Sequence, residues 1–292
     1  MNEIAGSLWL QWEAHWDAMA GLALLLGAYL YGVGPLRERY RLADYAEPRQ
    51  IATFCAGVVV IFFALASPLH ILSERFLFSM HMSQHVLLTL VAPPLLILGT
   101  PDWLLRPLLR PNWSFRIARV LTHPVTAFAA FNVVFSIWHI PALYNSSLHS
   151  EVVHAVEHVM MVSTAVLMWW PLTSNLSELP RLDYPFQMGY LFILSIAQII
   201  VFAIITFAEE PIYEFYVQAP RIWSLSPLLD QQLGGIIMKV GSGVYFVTLM
   251  IIIFFKWFKQ EEAIRKLDSE EHYGKKEDDG WADGPALEDS YR

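Results

Sequence analysis

The sequence predicts an all-α fold, a polytopic integral-membrane bundle of seven transmembrane helices with the N-terminus out and the C-terminus in. Three observations predict it. The 292 residues are 55% hydrophobic, with 11 Trp, 12 Tyr and 18 Phe, and only 16% charged, too apolar a balance for an ordinary soluble domain of this length. Seven stretches approach the roughly 20 apolar residues that a spanning helix needs. Finally, Lys and Arg fall almost wholly on alternate sides of those stretches.

The predicted spans are 17–34, 51–70, 76–98, 124–144, 151–173, 186–208 and 233–257. The residues before the first, MNEIAGSLWLQWEAHWD, hold three acids and neither Lys nor Arg. The basic flank of a cleavable signal is absent, so the first span is expected to be retained. Arg37, Arg39, Arg41 and Arg49 follow span one, Arg106, Arg110, Arg116 and Arg119 follow span three, Arg181 follows span five, and seven basic residues lie at the C-terminal end. Only Arg75 and Arg221 fall on the other side, which assigns the sixteen-residue side to the cytoplasm. Trp9, Trp12 and Trp16, and the Trp169-Trp170 pair, suit the two interfacial belts. Pro93-Pro94 in span three and Pro141 in span four are expected to kink or end their helices.

The organisation that follows is a membrane domain over 1–258 and a flexible, charged cytoplasmic tail over 259–292. That tail carries eleven of the acidic residues, so the net charge of −8 describes the tail more than the membrane domain. Cys55 is the single cysteine, which excludes a disulfide framework or a CxxC metal clamp within this chain. No internal repeat is evident, and no nucleic-acid partner is expected.

Chemistry therefore falls to histidine. His81/His85 and His154/His158 are two i,i+4 pairs inside apolar spans, where ionisable residues are costly and by default functional. With the predicted topology both pairs lie in the first turns of inward-running spans, and His139 ends an outward-running one. Eight of the ten histidines fall in the outer half, leaving His123 and His272 inside. On a helix, i,i+4 partners are ~40° apart; Met82 shares the arc of His81 and His85, and Met161 falls within ~20° of His154. Two facing helices can thus present four imidazoles and two thioethers to one point. Imidazole suits copper, zinc, iron and nickel, and thioether sulfur selects mainly for copper. Copper is the expected ligand, with His81, His85, His139, His154, His158, Met82 and Met161 as candidate metal residues.

Blander readings exist for each residue. An intramembrane histidine can be an interhelical hydrogen bond, and methionine fills gaps in apolar cores. His15, His70 and His149 are expected to be solvated loop residues, and Lys239 is expected to pair with Glu209, Glu210 or Asp230. HAVEH at 154–158 formally matches an HxxEH metalloprotease string, with Glu157 equally suited to holding a histidine tautomer.

The run SPLHILSERFLFSMHMSQHVLLTLVAPPLLILGTP at 67–101, then HP, WHIPALYNSSLHSEVVHAVEHVMMV, WWPL and LSPLLDQQLGGIIMKV at 225–240, resembles the CtaG-type, or caa-type, cytochrome c oxidase assembly factors over roughly residues 15–258. That resemblance implies a seven-span bacterial plasma-membrane protein needed to make active haem-copper oxidase, with a role in copper delivery. It maps His81, His85, His139, His154, His158 and Asp230-Gln231-Gln232 onto family motifs, while His70 and Lys239 depart from the pattern. The thiol-bearing single-span copper proteins that share the family's name in some bacteria are a different group, and this chain lacks their cysteines.

The expected function is accordingly a non-catalytic assembly factor that binds copper near the outer face and helps insert it into a haem-copper oxidase. Its expected partners are oxidase subunits or other assembly factors, within the lipid bilayer. The alternatives are an integral-membrane zinc hydrolase, with Glu157 or Asp230 as acid/base, and a bis-histidine haem protein.

Overall fold

Apolar sequence in a bilayer must satisfy its own backbone, and runs of about 20 apolar residues do so as helices. In the computed structural model, which describes residues 10, 12, 13 and 16–280 and side chains as far as 269, the described residues form helices and connecting turns without strands. In chain order these are α1 Trp16–Tyr40, α2 Pro48–Ala66, α3 Pro68–Arg75, α4 Phe78–Gly99, α5 Asp102–Leu109, α6 Asn112–Leu121, α7 Pro124–Trp138, α8 Pro141–His149, α9 Glu151–Thr173, α10 Tyr184–Thr206, α11 Glu214–Gln218 and α12 Pro227–Ser269, the last continuing to Gly280. Six of them are long and apolar enough to cross a membrane, and a seventh span results if α6 and α7, bent by 65°, are counted together. The charged segment after 258 begins as a continuation of α12. His15 lies outside the described residues.

Proline marks where helices begin. Pro48, Pro68, Pro124, Pro141 and Pro227 each occupy the first turn of a helix, where the missing N–H costs nothing. This rule corrects two predicted boundaries. Span two stops at Ala66, because Ser67 caps a new helix by accepting from Leu69 N–H at 3.2 Å and Pro68 starts it. Span four stops at Trp138 rather than 144, because Pro141 opens α8. Pro93-Pro94 does not end α4. A π turn at Leu87–Val91 accommodates the pair, and the Thr89 carbonyl that Pro93 cannot satisfy accepts instead from Trp169 Nε1–H at 2.8 Å. That bond ties α4 to α9.

α4 is the axis of the bundle. In its most apolar window 67% of residues are buried, against at most 33% in any other candidate span. It packs on α2, α3, α9 and α12. One apolar core, including Phe78, Phe135, Tyr144, Trp169 and Phe246, joins α4, α7, α8, α9, α10 and α12; a second, around Tyr29, Phe54, Ile61 and Leu88, joins α1, α2 and α4. α4 and α12 approach closely where a Cβ on Gly234 would collide with the Phe78 ring. Only glycine allows that contact.

Candidate metal centre

The start of α4 is fixed from the far end of the chain. Leu77 offers no capping side chain, and the buried Asp230 of α12 takes that role: it accepts from Phe78 N–H at 2.7 Å, Ser79 N–H at 3.1 Å and Ser79 Oγ–H at 2.6 Å. His81 and His85 follow in the next two turns and are wholly buried. In α9, Ser150 caps the helix, so that His154, Glu157 and His158 fall in its first two turns. His139 sits just past α7, its ring 4.0 Å from that of Phe135 and its carbonyl accepting from Tyr213 OH at 3.1 Å.

These elements bring all five predicted histidines to one end of the bundle. Ring centroids are 4.6 Å apart for His81/His85, 4.2 Å for His154/His158, 5.8 Å for His81/His154, 5.7 Å for His85/His158 and 6.2 Å for His85/His139. Glu157 is buried among them, its Oε1 3.5 Å from His85 Nε2 and 4.0 Å from His81 Nε2. Two sets of donor atoms converge within 4.8 Å of one another, His81/His85/His158 and His81/His154/Glu157. Met82 and Met161 are wholly buried members of the adjoining apolar core.

The hydrogen bonds fix which ring nitrogens of His139 and His154 keep a lone pair. His139 Nδ1 donates to the Phe135 carbonyl at 2.7 Å, and His154 Nδ1 lies 2.8 Å from Glu74 Oε1. Each bond leaves Nε2 as the lone-pair nitrogen, the arrangement by which carbonyls and carboxylates orient metal-binding histidines. His139 Nε2, His154 Nε2, His158 Nε2, His81 Nδ1, His85 Nδ1 and Glu157 Oε2 are all buried without a hydrogen-bond partner. His81 and His85 share their remaining nitrogens, Nε2 to Nε2 at 2.6 Å, a contact that needs one proton between two lone pairs. Buried polar atoms are nearly always satisfied, so these orphans among the clustered rings mark the group as a candidate cation site. Neutral imidazoles with thioethers nearby fit copper, and the His81/His154/Glu157 set alone also fits zinc.

Two expectations are overturned. His70 is no solvated loop residue: it is buried on α3, Nδ1 at 3.1 Å from Gln84 Nε2 and Nε2 at 3.2 Å from Glu74 Oε1. Lys239 pairs with none of the acids proposed for it; Nζ donates to the Ser195 carbonyl at 2.6 Å, while Asp230 is engaged at the start of α4. A lysine can satisfy itself on a carbonyl between two packed helices, which removes the need for a carboxylate. His149 is exposed, as expected, but on the last turn of α8 and not in a loop. Glu74 is the residue that sequence reasoning missed. Its signal was its i,i+4 spacing from His70, which places both on one helix face.

Residues 27–260 match the family described as cytochrome c oxidase caa3 assembly factor (Caa3_CtaG). The chain is 26% identical over 266 residues to uncharacterized protein Mb0105 of Mycobacterium bovis and to uncharacterized protein MT0111 of Mycobacterium tuberculosis. It is 22% identical over 264 residues to uncharacterized protein ML1998 of Mycobacterium leprae. Each alignment covers 85% of this chain and 40% of the relative, so the chain spans about two-fifths of the length of these relatives. No solved structure matches it.

Proposed function

This chain belongs to the cytochrome c oxidase caa3 assembly factor family, and from that premise we propose that it carries copper as cargo for insertion into a haem-copper oxidase. The ion is held by His81, His85, His154 and His158, with His139 and Glu157 at the margin. Met82 and Met161 are the thioethers within the same core. The observation that carries the reading is the convergence of five buried imidazoles and one carboxylate at one end of the bundle, with His139 Nε2, His154 Nε2, His158 Nε2 and Glu157 Oε2 left without a partner. An ion there replaces the proton shared by His81 Nε2 and His85 Nε2 and takes the lone pairs of His154 Nε2 and His158 Nε2.

The distribution of Lys and Arg supports an outward-facing site in the bacterial plasma membrane, where copper arrives from outside the cytoplasm. The chain's own residues bind the ion and keep it from water; His81, His85 and Glu157 are at most 1% exposed. Release to an oxidase subunit or another assembly factor then requires a partner that competes for the same ligands.

A second reading rests on one specific set of residues. His81, His154 and Glu157 form a two-histidine, one-carboxylate group, the donor set of several catalytic zinc sites. Metal analysis of the purified protein decides between them, together with an optical spectrum that detects haem. Copper at about one equivalent, lost in His81→Ala, supports delivery. Zinc at one equivalent supports the hydrolase, and a strong Soret band the bis-histidine haem protein.

A further inference from the structure

The basic surface at the opposite end of α7 from His139 has a chemistry of its own. We propose that α6 is an in-plane amphipathic helix whose arginines bind the headgroups of anionic phospholipid.

Its sequence, NWSFRIARVL, divides the helix into three faces. Trp113, Ile117 and Val120 fall within ~60° of one another around the axis, and they are 69%, 52% and 60% exposed. Ser114, Phe115 and Ala118 are the partly buried residues and face the protein. Arg116 and Arg119 lie beside the apolar stripe, ~60° and ~120° around from Trp113, and both are exposed. A stripe of large apolar side chains with no protein against it, flanked by cations, is the pattern of a helix lying at the boundary between acyl chains and headgroups.

The bend supplies the orientation. α6 meets α7 at 65° across Thr122 and His123, with Pro124 opening α7. With α7 along the membrane normal, α6 lies within about 25° of the plane, the complement of that angle. Its exposed stripe then rests along the surface of the hydrocarbon instead of crossing it.

The charges supply the partner. Arg106 on α5 is neutralised by Asp102 at 2.8 Å and Glu178 at 3.1 Å. Arg110, Arg116 and Arg119 have no carboxylate within 4.0 Å among the described residues, although the chain as a whole is acidic. Arg116 and Arg119 beside the acyl-facing stripe, with Arg110 just ahead of α6, meet phosphate at headgroup depth, where arginine makes bidentate, charge-assisted bonds. An acidic protein segment would satisfy the arginines and leave Trp113, Ile117 and Val120 uncovered, so the stripe favours lipid. By this means the inner end of α7 is anchored in the plane, and with it the helix that ends at His139.

The test uses the full chain in bilayers of phosphatidylglycerol and phosphatidylcholine. Lipid retained by the protein is counted by native mass spectrometry, and quenching of Trp113 by brominated forms of each lipid is read as the difference between wild type and Trp113→Phe. We expect phosphatidylglycerol to be enriched around the wild type and to quench Trp113 more strongly. The Arg110→Gln/Arg116→Gln/Arg119→Gln form should lose that preference by roughly tenfold or more, while the Arg→Lys form keeps most of it. Equal enrichment in wild type and the Gln variant overturns the proposal. So does an equal loss on Arg39→Gln/Arg41→Gln, which would mark a response to total charge. If the Gln variant does not fold, the quenching comparison on wild type decides alone: no difference between the two lipids rejects a headgroup site at α6.

Discussion

His154 Nδ1 and Glu74 Oε1 are 2.8 Å apart, joining the histidine helix α9 to the short helix α3. The same carboxylate oxygen is 3.2 Å from His70 Nε2, and His70 Nδ1 in turn meets the Gln84 amide, whose Oε1 accepts from Ser73 Oγ–H at 2.8 Å. This chain of hydrogen bonds holds His154 in the tautomer that leaves Nε2 with its lone pair. Carboxylates in this position typically change metal affinity 10–100-fold. Glu74→Ala should therefore weaken copper binding by about that factor in a chelator competition, with the helical circular dichroism unchanged. An affinity equal to that of wild type would separate Glu74 from the site.

The histidines should behave as one unit. His81→Ala and His154→Ala should each remove most of the bound metal, and the double variant should lose little more, because removing one ligand already disables a shared centre. Metal content measured on the purified single and double variants tests this. Independent, additive partial losses would mean separate interhelical hydrogen bonds.

Asp230 should matter to stability before it matters to metal. Asp230→Ala leaves two buried N–H groups and the Ser79 hydroxyl without their acceptor. A buried donor left unsatisfied costs about 1–3 kcal/mol. The variant should unfold at lower temperature or lower denaturant concentration in detergent, and Asp230→Asn, which keeps one oxygen acceptor, should lose less. Unchanged unfolding midpoints would falsify the role assigned to this residue.

The topology is open to direct measurement. Reporter fusions after residue 145 or 220 should report the outer compartment, and fusions after 180 or 260 the cytoplasm. A reversed pattern would put the histidine cluster on the cytoplasmic side and remove the basis for capture of copper from outside.

Deletion separates assembly from catalysis. A strain lacking this protein should retain oxidase subunits but show low oxidase copper and activity, with partial recovery in excess copper. His81→Ala/His85→Ala should fail to rescue in copper-poor medium at normal membrane levels. Full rescue by that variant would make the two histidines structural.

The amino-acid sequence by itself determined the long apolar helices. Mean composition over 20-residue windows fixes which segments can be helices in a bilayer, since backbone groups there have no other partner. Prolines announce the starts of α2, α3, α7, α8 and α12 by the same local chemistry. The paired histidines were legible too, because i,i+4 spacing forces two side chains onto one face whatever surrounds the helix. Tertiary structure decided the rest. A span that is apolar all round carries no moment, so its rotation and its neighbours are not written in its periodicity. That is why α4 could not be recognised as the axis, nor Thr89 as the acceptor for Trp169, nor Asp230 as the cap of a helix some 150 residues earlier. It is also why His70 read as a loop residue and Glu74 went unnoticed: their partners, Gln84 and His154, lie on other helices, and only packing brings those imidazoles and carboxylates within bonding distance.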